Sequence, residues 1–213
     1  MSQRRAPDVQ ALPARYNDNV FINCPFDEKY RPFFRAMVFT IYDAGFVARC
    51  ALEVSDATQN RLQKIMGIVA ECRYGIHDVS RTALGPNRLP RFNMPMELGI
   101  FLGSKEFGVD HHRRKACLIL DTRQYRYQKF ISDIAGQDVH AHKGSVHESV
   151  VIVRDWLRTA SHRTRVPGGE RIWGRYQKFR RKLPEICRET GLRHKTLAFL
   201  DYTALVEEWL LKT

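Results

Sequence analysis

Residues 19–52 read NVFINCPFDEKYRPFFRAMVFTIYDAGFVARCAL, and this stretch decides the fold class. It opens with a β-rich run, NVFINC. A helical pattern follows, in which Phe33, Met37 and Ile41 share one stripe. Gly45 ends the helix, and FVARCAL is typical of a short second strand. The stretch therefore predicts a strand, a crossover helix and a second, parallel strand.

The same alternation continues through the next hundred residues. Asp56 is the predicted cap of a second helix, whose inner face comprises Leu62, Ile65, Met66 and Val69. Further predicted elements are strands over 73–79, 115–121 and 138–142 and helices over 94–102, 125–135 and 146–159. Short apolar strands alternating with helices predict a flavodoxin-like, doubly wound α/β fold with a mainly parallel sheet.

Three regions differ in composition. Residues 1–18 are interpreted as a flexible lead-in, 19–160 as the α/β domain, and 161–213 as a basic appendage with helices over 170–189 and 196–211. The chain of 213 residues has 35 Lys and Arg against 23 Asp and Glu, a net charge of +12, and residues 161–213 supply half of that excess. Trp173, Tyr176 and Phe179 interleave with these cations at near-helical spacing, which favours docking or self-association over nucleic-acid binding, the alternative.

Several classes of protein are excluded by absent patterns. No run approaches the roughly 18 apolar residues of a membrane span, and the first residues lack an apolar signal segment, so we expect a cytoplasmic protein without membrane contact. The sequence has no GxGxxG or P-loop motif and no CxxC pair. His111 and His112, in a stretch expected to be a solvated loop, and His140 and His142 lack further ligands, so no metal site is predicted.

Candidate site residues cluster where predicted strands end, because ligands of doubly wound sheets bind at the carboxyl ends of the strands. The candidates that could bind substrate are Asn23, Pro25, Phe26, Asp27, Ser80, Arg81, Asn93 and Met94, with Asp78 and Glu97 as candidate catalytic carboxylates. Simpler interpretations stay open. Phe26 could belong to the core, Asp27 could bind its own loop, and Arg81 could be a solvated surface cation.

The segment 93–103, NMPMELGIFLG, is the most specific of these features. Proline is favoured at the first helical position, so Pro95 predicts Met94 as the cap and places Glu97 in the first turn. There the backbone dipoles favour a charged carboxylate, as a nucleophile requires. The alternative is a glutamate that only complements the end of the helix.

Three segments together resemble the Toll/interleukin-1 receptor (TIR)-like and nucleoside 2-deoxyribosyltransferase-like superfamily. They are VFINCPFD at 20–27, HDVSR at 77–81 and MPMELGIFLG at 94–103, and the resemblance covers about residues 19–160. It implies that Glu97 attacks, or stabilises positive charge at, the anomeric carbon of a ribose whose N-glycosidic bond is cleaved. The chain departs from the deoxyribosyltransferase pattern at 91–95, where RFNMP replaces a small Gly-Thr approach, which argues against free nucleoside exchange.

The resemblance implies hydrolysis of NAD or a related nucleotide, with NAD as substrate and no cofactor. Nicotinamide is already cationic and leaves without an acid, whereas a neutral base needs a proton donor such as Asp78. It also implies a defence effector activated by self-assembly, hence a homo-oligomer. The alternatives are a catalytically inert nucleotide sensor or interaction module of the same fold, a nucleoside deoxyribosyltransferase, and a protein that binds nucleic acid through its basic C-terminal helices.

Overall fold

A computed structural model describes residues 12–81 and 92–213 and has a five-stranded, all-parallel sheet of order β2-β1-β3-β4-β5. The strands are β1 (Asn19–Asn23), β2 (Val47–Arg49), β3 (Tyr74–Asp78), β4 (Ala116–Asp121) and β5 (Val139–Ala141). The helices are α1 (Arg31–Asp43), α2 (Arg61–Ala70), α3 (Asn93–Phe107), α4 (Val146–Ser161), α5 (Gly169–Glu189) and α6 (Phe199–Leu211). The predicted flavodoxin-like α/β fold with C-terminal helices is confirmed.

Helices cover both faces of the sheet, and β1 shows how the sequence achieves this. Successive strand side chains point to opposite faces. Val20 and Ile22 enter the large core that α1, α4, α5 and α6 complete, whereas Phe21 packs with Ile65 of α2 and Phe101 of α3 on the other face. Because both faces are covered, every residue of β1 and β3 is buried, including the polar residues at their ends.

The C-terminal helices pack directly on the α/β layers. Tyr176 and Phe179 of α5 are buried against Phe39 of α1, and Trp209 of α6 completes the aromatic cluster. The prediction that the aromatic stripe docks on the chain itself is confirmed. Long cations on the other side of α5 remain exposed, as expected for a helix whose apolar stripe faces a core.

The predicted helix over 125–135 is wrong. Two short 3₁₀ helices stand there instead, Arg126–Lys129 and Ser132–Ile134. Tyr125 adopts a left-handed backbone with φ of 61°, which no continuous α-helix accommodates. The chain therefore remains a loop between β4 and β5, close to the carboxyl edge of the sheet.

The second helix begins later than predicted. Asn60, rather than Asp56, caps α2 by accepting a hydrogen bond from the Gln63 backbone N–H at 2.9 Å, while Asp56 accepts the N–H of Thr58 in the preceding turn. Its predicted inner face is only half right. Ile65 and Val69 are buried, but Leu62 and Met66 face solvent.

The basic stretch before β4 is not the solvated loop that we expected. Residues Asp110–Arg114 form a 3₁₀ helix, and the next residue, Lys115, is only 2% exposed. Its ammonium donates to the carbonyl oxygen of Val69 at 2.6 Å and to that of Cys72, so it satisfies orphan carbonyls at the end of α2.

Part of the predicted lead-in, residues 1–11, lies outside the described residues. Tyr16 is buried and its carbonyl oxygen accepts the N–H of Arg73, while Asp18 pairs with Arg163. The N-terminal end of the described chain is thereby fixed to the sheet. Among the described residues, no helix combines the length and apolarity that crossing a membrane requires.

Candidate functional site

The carboxyl ends of β1 and β3 form a crevice where the chain changes faces. These strands are neighbours, but α1 follows β1 on one face of the sheet and α3 follows β3 on the other. Connections that diverge in this way leave a gap at the strand ends, which is where doubly wound folds bind ligands. Asn23 and Asp78 end these two strands, and the start of α3 is hydrogen-bonded to Asn23.

Asn23 joins the elements of the crevice rather than facing into it. Its Nδ2 donates to the carbonyl oxygen of Met94 at 2.8 Å and lies 3.0 Å from Nδ1 of His77. Burial, with the positive charge of Lys115, lowers the pKa of His77 to about 3, so the ring is neutral and Nδ1 accepts. Asn23, predicted as a substrate ligand, therefore positions the start of α3 against β1 and β3.

Glu97 is a buried carboxylate near the start of α3. Its residue is 4% exposed, and within residues 12–81 and 92–213 it has no hydrogen-bond or salt-bridge partner. Burial raises the pKa of Glu97 to about 6 and outweighs the opposing charge of Arg61 on α2. An acid without a partner in such a place favours any ligand that carries positive charge.

The helix that carries Glu97 does not begin as predicted. It starts at Asn93, so Phe92 is the residue before it, Met94 is its second residue and Pro95 its third. Glu97 is then the fifth helical residue and lies beyond the first turn, where the backbone dipoles act most strongly. The expectation that the dipoles hold Glu97 charged is wrong, because desolvation dominates instead.

Cys24 lies among the carboxylates of the crevice. Burial raises the pKa of this thiol well above its ordinary value, and the charges of Asp78, Glu97 and Asp27 add to the effect. A thiol in these surroundings stays protonated, so Cys24 is a small buried side chain rather than a nucleophile.

Asp78 is fully buried and accepts two hydrogen bonds. Tyr30 donates its hydroxyl to Oδ2, and the Ser80 backbone N–H donates to Oδ1 at 2.8 Å. Nε2 of His142 lies 3.3 Å from Oδ2. Nδ1 of His142 accepts the Gly144 N–H at 3.1 Å, which fixes the ring in the loop after β5.

Tyr30 and His142 were missed as members of the site. Asp78 points to the α1 and α4 face, as do Tyr74 and Ile76 four and two residues earlier. The residues before α1 and before α4 are therefore the ones that reach it. The period-two spacing of His140 and His142 indicated a short strand that ends near His142. Sequence spacing does not indicate that the end of β3, with Asp78, lies beside it.

Asp27 and Arg81 form an ion pair at the rim. Burial raises the pKa of Asp27, but the hydrogen bond and charge of Arg81, with backbone N–H groups of Tyr30 and Lys29, outweigh it and the net pKa is lowered. Oδ1 of Asp27 accepts the backbone N–H groups of Lys29 and Tyr30, each at 3.1 Å, so Asp27 does bind its own loop. Arg81 is thus committed to the protein in this structure rather than to solvent alone.

The remaining candidates make no polar contact with Glu97 among the described residues. Pro25 is buried, and half-buried Phe26 packs edge to face on Phe34, with 5.3 Å between ring centroids. Asn93 is exposed at the start of α3. In the part of the chain that the structure describes, no group of three or more His, Cys, Asp or Glu side chains is arranged so that it could hold a metal ion.

Comparison with known proteins adds no relative. Neither protein-family models, nor curated proteins, nor solved structures give a match to this chain. The functional argument therefore rests on the residues of the crevice. Its chemical content is a buried glutamate beside a switch-point gap, with a rigid hydrogen-bonded frame of Asn23, His77, Asp78 and Tyr30 around it.

Proposed function

We propose that the chain hydrolyses an N-glycosidic bond of NAD or a related nucleotide, with Glu97 as the catalytic carboxylate. The observation that carries the proposal is that Glu97 is buried, without a partner among the described residues, at the switch point of the sheet. Breaking a bond between ribose and a base builds positive charge on the sugar. A nearby carboxylate stabilises that charge or captures the anomeric carbon.

Desolvation makes this carboxylate effective. A carboxylate buried without a partner is unfavourable in the ligand-free protein, as the raised pKa of about 6 reports. A cationic pyridinium, and still more an oxocarbenium-like transition state, restores the missing electrostatic interaction. Interactions that strengthen as charge develops lower the barrier rather than only tightening binding.

The buried frame has a positioning role in this proposal. Asp78 has no exposed surface, and its oxygens accept hydrogen bonds from the Tyr30 hydroxyl and the Ser80 N–H, so it orients the loops after β1 and β3. Substrate contacts then come from groups at the rim, among them Ser80 and Asn93. Nicotinamide needs no general acid, which is consistent with an Asp78 that does not reach the ligand.

The decisive experiment compares base release by three proteins. Wild type, Glu97→Gln and the control Glu106→Gln are incubated with NAD, NADP and a nucleoside panel, and free base is followed by chromatography. Glu106 is exposed on the same helix, so its variant matches the change in charge. We expect Glu97→Gln to lose about 10²-fold or more of the rate and Glu106→Gln to retain it.

Two outcomes would contradict this proposal. Equal turnover by wild type and Glu97→Gln would remove Glu97 from the reaction. A nucleotide that binds to wild type in calorimetry, yet is recovered intact at protein concentrations high enough for assembly, would identify an inert nucleotide sensor of the same fold instead.

The proposal includes a second copy of this chain as a partner. Apolar side chains are exposed on the two helices that cover the α2 and α3 face, namely Leu62, Met66, Met96 and Phe107. Exposed apolar side chains on two neighbouring helices favour association of the monomers. Mass measured by light scattering should rise with protein concentration, and Met66→Lys should lower it; a constant monomer mass would remove self-association from the proposal.

A further inference from the structure

A basic cleft of about 530 Å³ lies at the carboxyl ends of β4 and β5, on the edge of the sheet that also holds Glu97. Two loops line it. The loop after β4 contributes Thr122, Arg123 and Arg126, and the loop after β5 contributes Lys143 and Gly144. We call this feature the β4–β5 cleft. Three of its lining residues are cationic and none is acidic.

Two of these cations have unused binding capacity. Arg123 and Lys143 are exposed, and among residues 12–81 and 92–213 neither side chain makes a hydrogen bond or an ion pair. They come from different loops but face one concavity. Like charges held around a concave surface repel one another, so an anion that bridges them removes an unfavourable interaction.

Arg126 forms the fixed wall of the cleft. Its Nε lies 2.8 Å from Oδ1 of buried Asp121, and its Nη2 donates to the carbonyl oxygens of Val79 and Ser80 at 3.0 and 2.8 Å. Asp121 balances the charge of Arg126. The net positive charge of the cleft therefore comes from Arg123 and Lys143, while Arg126 ties the cleft to the end of β3.

The start of α4 adds to the same charge. Ser145 caps this 16-residue helix and accepts the Glu148 N–H at 3.2 Å, which leaves further N–H groups of the first turn pointing towards the loop of Lys143 and Gly144. The positive end of a helix dipole favours anions. The half-buried carboxylate of Glu148 opposes the effect, so the two side chains remain the main source of charge.

We propose that the β4–β5 cleft binds the phosphate or pyrophosphate group of a small-molecule ligand, with Arg123 and Lys143 as its binding residues. The guanidinium fork of arginine matches two phosphate oxygens, and lysine supplies a mobile point charge. Neighbouring strands are about 4.8 Å apart, so β3 and β5 end about 10 Å from each other. A ligand whose ribose lies near Glu97 can extend along the carboxyl edge of the sheet and place its phosphates in the cleft. This link to Glu97 rests on the proposed function, whereas phosphate binding by the cleft does not.

The test measures binding of inorganic pyrophosphate, ADP and adenosine to the full chain by calorimetry. The variant Arg123→Gln/Lys143→Gln is compared with Lys178→Gln/Arg180→Gln, which removes two exposed cations of α5. We expect wild type to bind pyrophosphate and ADP but not adenosine, the cleft variant to bind about tenfold or more weakly, and the α5 variant to match wild type. All four side chains are exposed, so the variants should fold, which circular dichroism checks.

Several results would overturn the assignment. They are no pyrophosphate binding by wild type up to about 10 mM, equal weakening in both double variants, or cleft-dependent binding of a single-stranded oligonucleotide without binding of pyrophosphate. Glu97→Gln separates the two proposals. Phosphate binding that persists in this variant supports the cleft whether or not base release is observed, whereas loss of base release alone concerns Glu97.

Discussion

Nδ2 of Asn23 donates to the carbonyl oxygen of Met94 at 2.8 Å, and this bond fixes the first turn of α3 to the end of β1. Glu97 lies three residues beyond Met94 on the same helix. This buried amide, together with the packing of Phe101 against Phe21, therefore sets the position of the candidate catalytic carboxylate relative to β1.

Replacing that amide should weaken both the fold and the site. Asn23→Ala leaves the carbonyl of Met94 and Nδ1 of His77 without their donor, so we expect the free energy of unfolding to fall by about 1–3 kcal/mol. Urea titration measures this loss. An Asn60→Ala variant loses an exposed helix cap and should cost about 1 kcal/mol. A change at Asn23 no larger than that at Asn60 would contradict the bridging role.

Removing the charge of Glu97 should stabilise the ligand-free protein. The folded pKa of about 6 lies above the ordinary 4.5, so the folded state binds the proton more tightly than the unfolded state, and the buried charge reduces stability as pH rises through this interval. The difference corresponds to at most about 2 kcal/mol at neutral pH. Glu97→Gln should therefore unfold at higher urea than wild type at about pH 7.5, and the gap should close near about pH 4.

Base release should depend on pH through the same group. The proposed role requires the carboxylate form of Glu97, which is present above its pKa of about 6 and is lost as pH falls through it. We expect kcat/KM for NAD to drop about tenfold for each pH unit below that value. A rate that stays constant down to about pH 4.5 would show that the ionisation of Glu97 does not matter.

The hydroxyl of Tyr30 should contribute to the stability of the fold. Tyr30→Phe leaves buried Asp78 without one of its donors, and we expect a loss of about 1–3 kcal/mol in the free energy of unfolding. Tyr125 is exposed, and Tyr125→Phe is the matched control that should change stability little. Thermal unfolding of the two variants tests this prediction. Equal midpoints for Tyr30→Phe and Tyr125→Phe would mean that the Tyr30 hydroxyl does not stabilise the fold.

The sequence by itself determined the α/β class. Short apolar strands and amphipathic helices are local patterns, and β1, α1, β3, α4 and α5 lie where those patterns predict them. The prediction was weakest where local signals are ambiguous. Pro95 is compatible with more than one position in the first helical turn. The loop after β4 has apolar residues at helix-like spacing, although the left-handed backbone of Tyr125 prevents a continuous helix there.

Only the tertiary structure decided the chemistry of the site. The strand order brings Asp78 beside Tyr30 and His142, residues that sequence spacing does not relate to it. The fold also buries Glu97, and this burial raises the pKa of the carboxyl group. The predicted place of Glu97 in the first helical turn would have lowered that pKa. Hydrophobic periodicity is written in neighbouring residues, whereas desolvation and charge coupling depend on every element that packs around a group, and those elements meet only when the chain has folded.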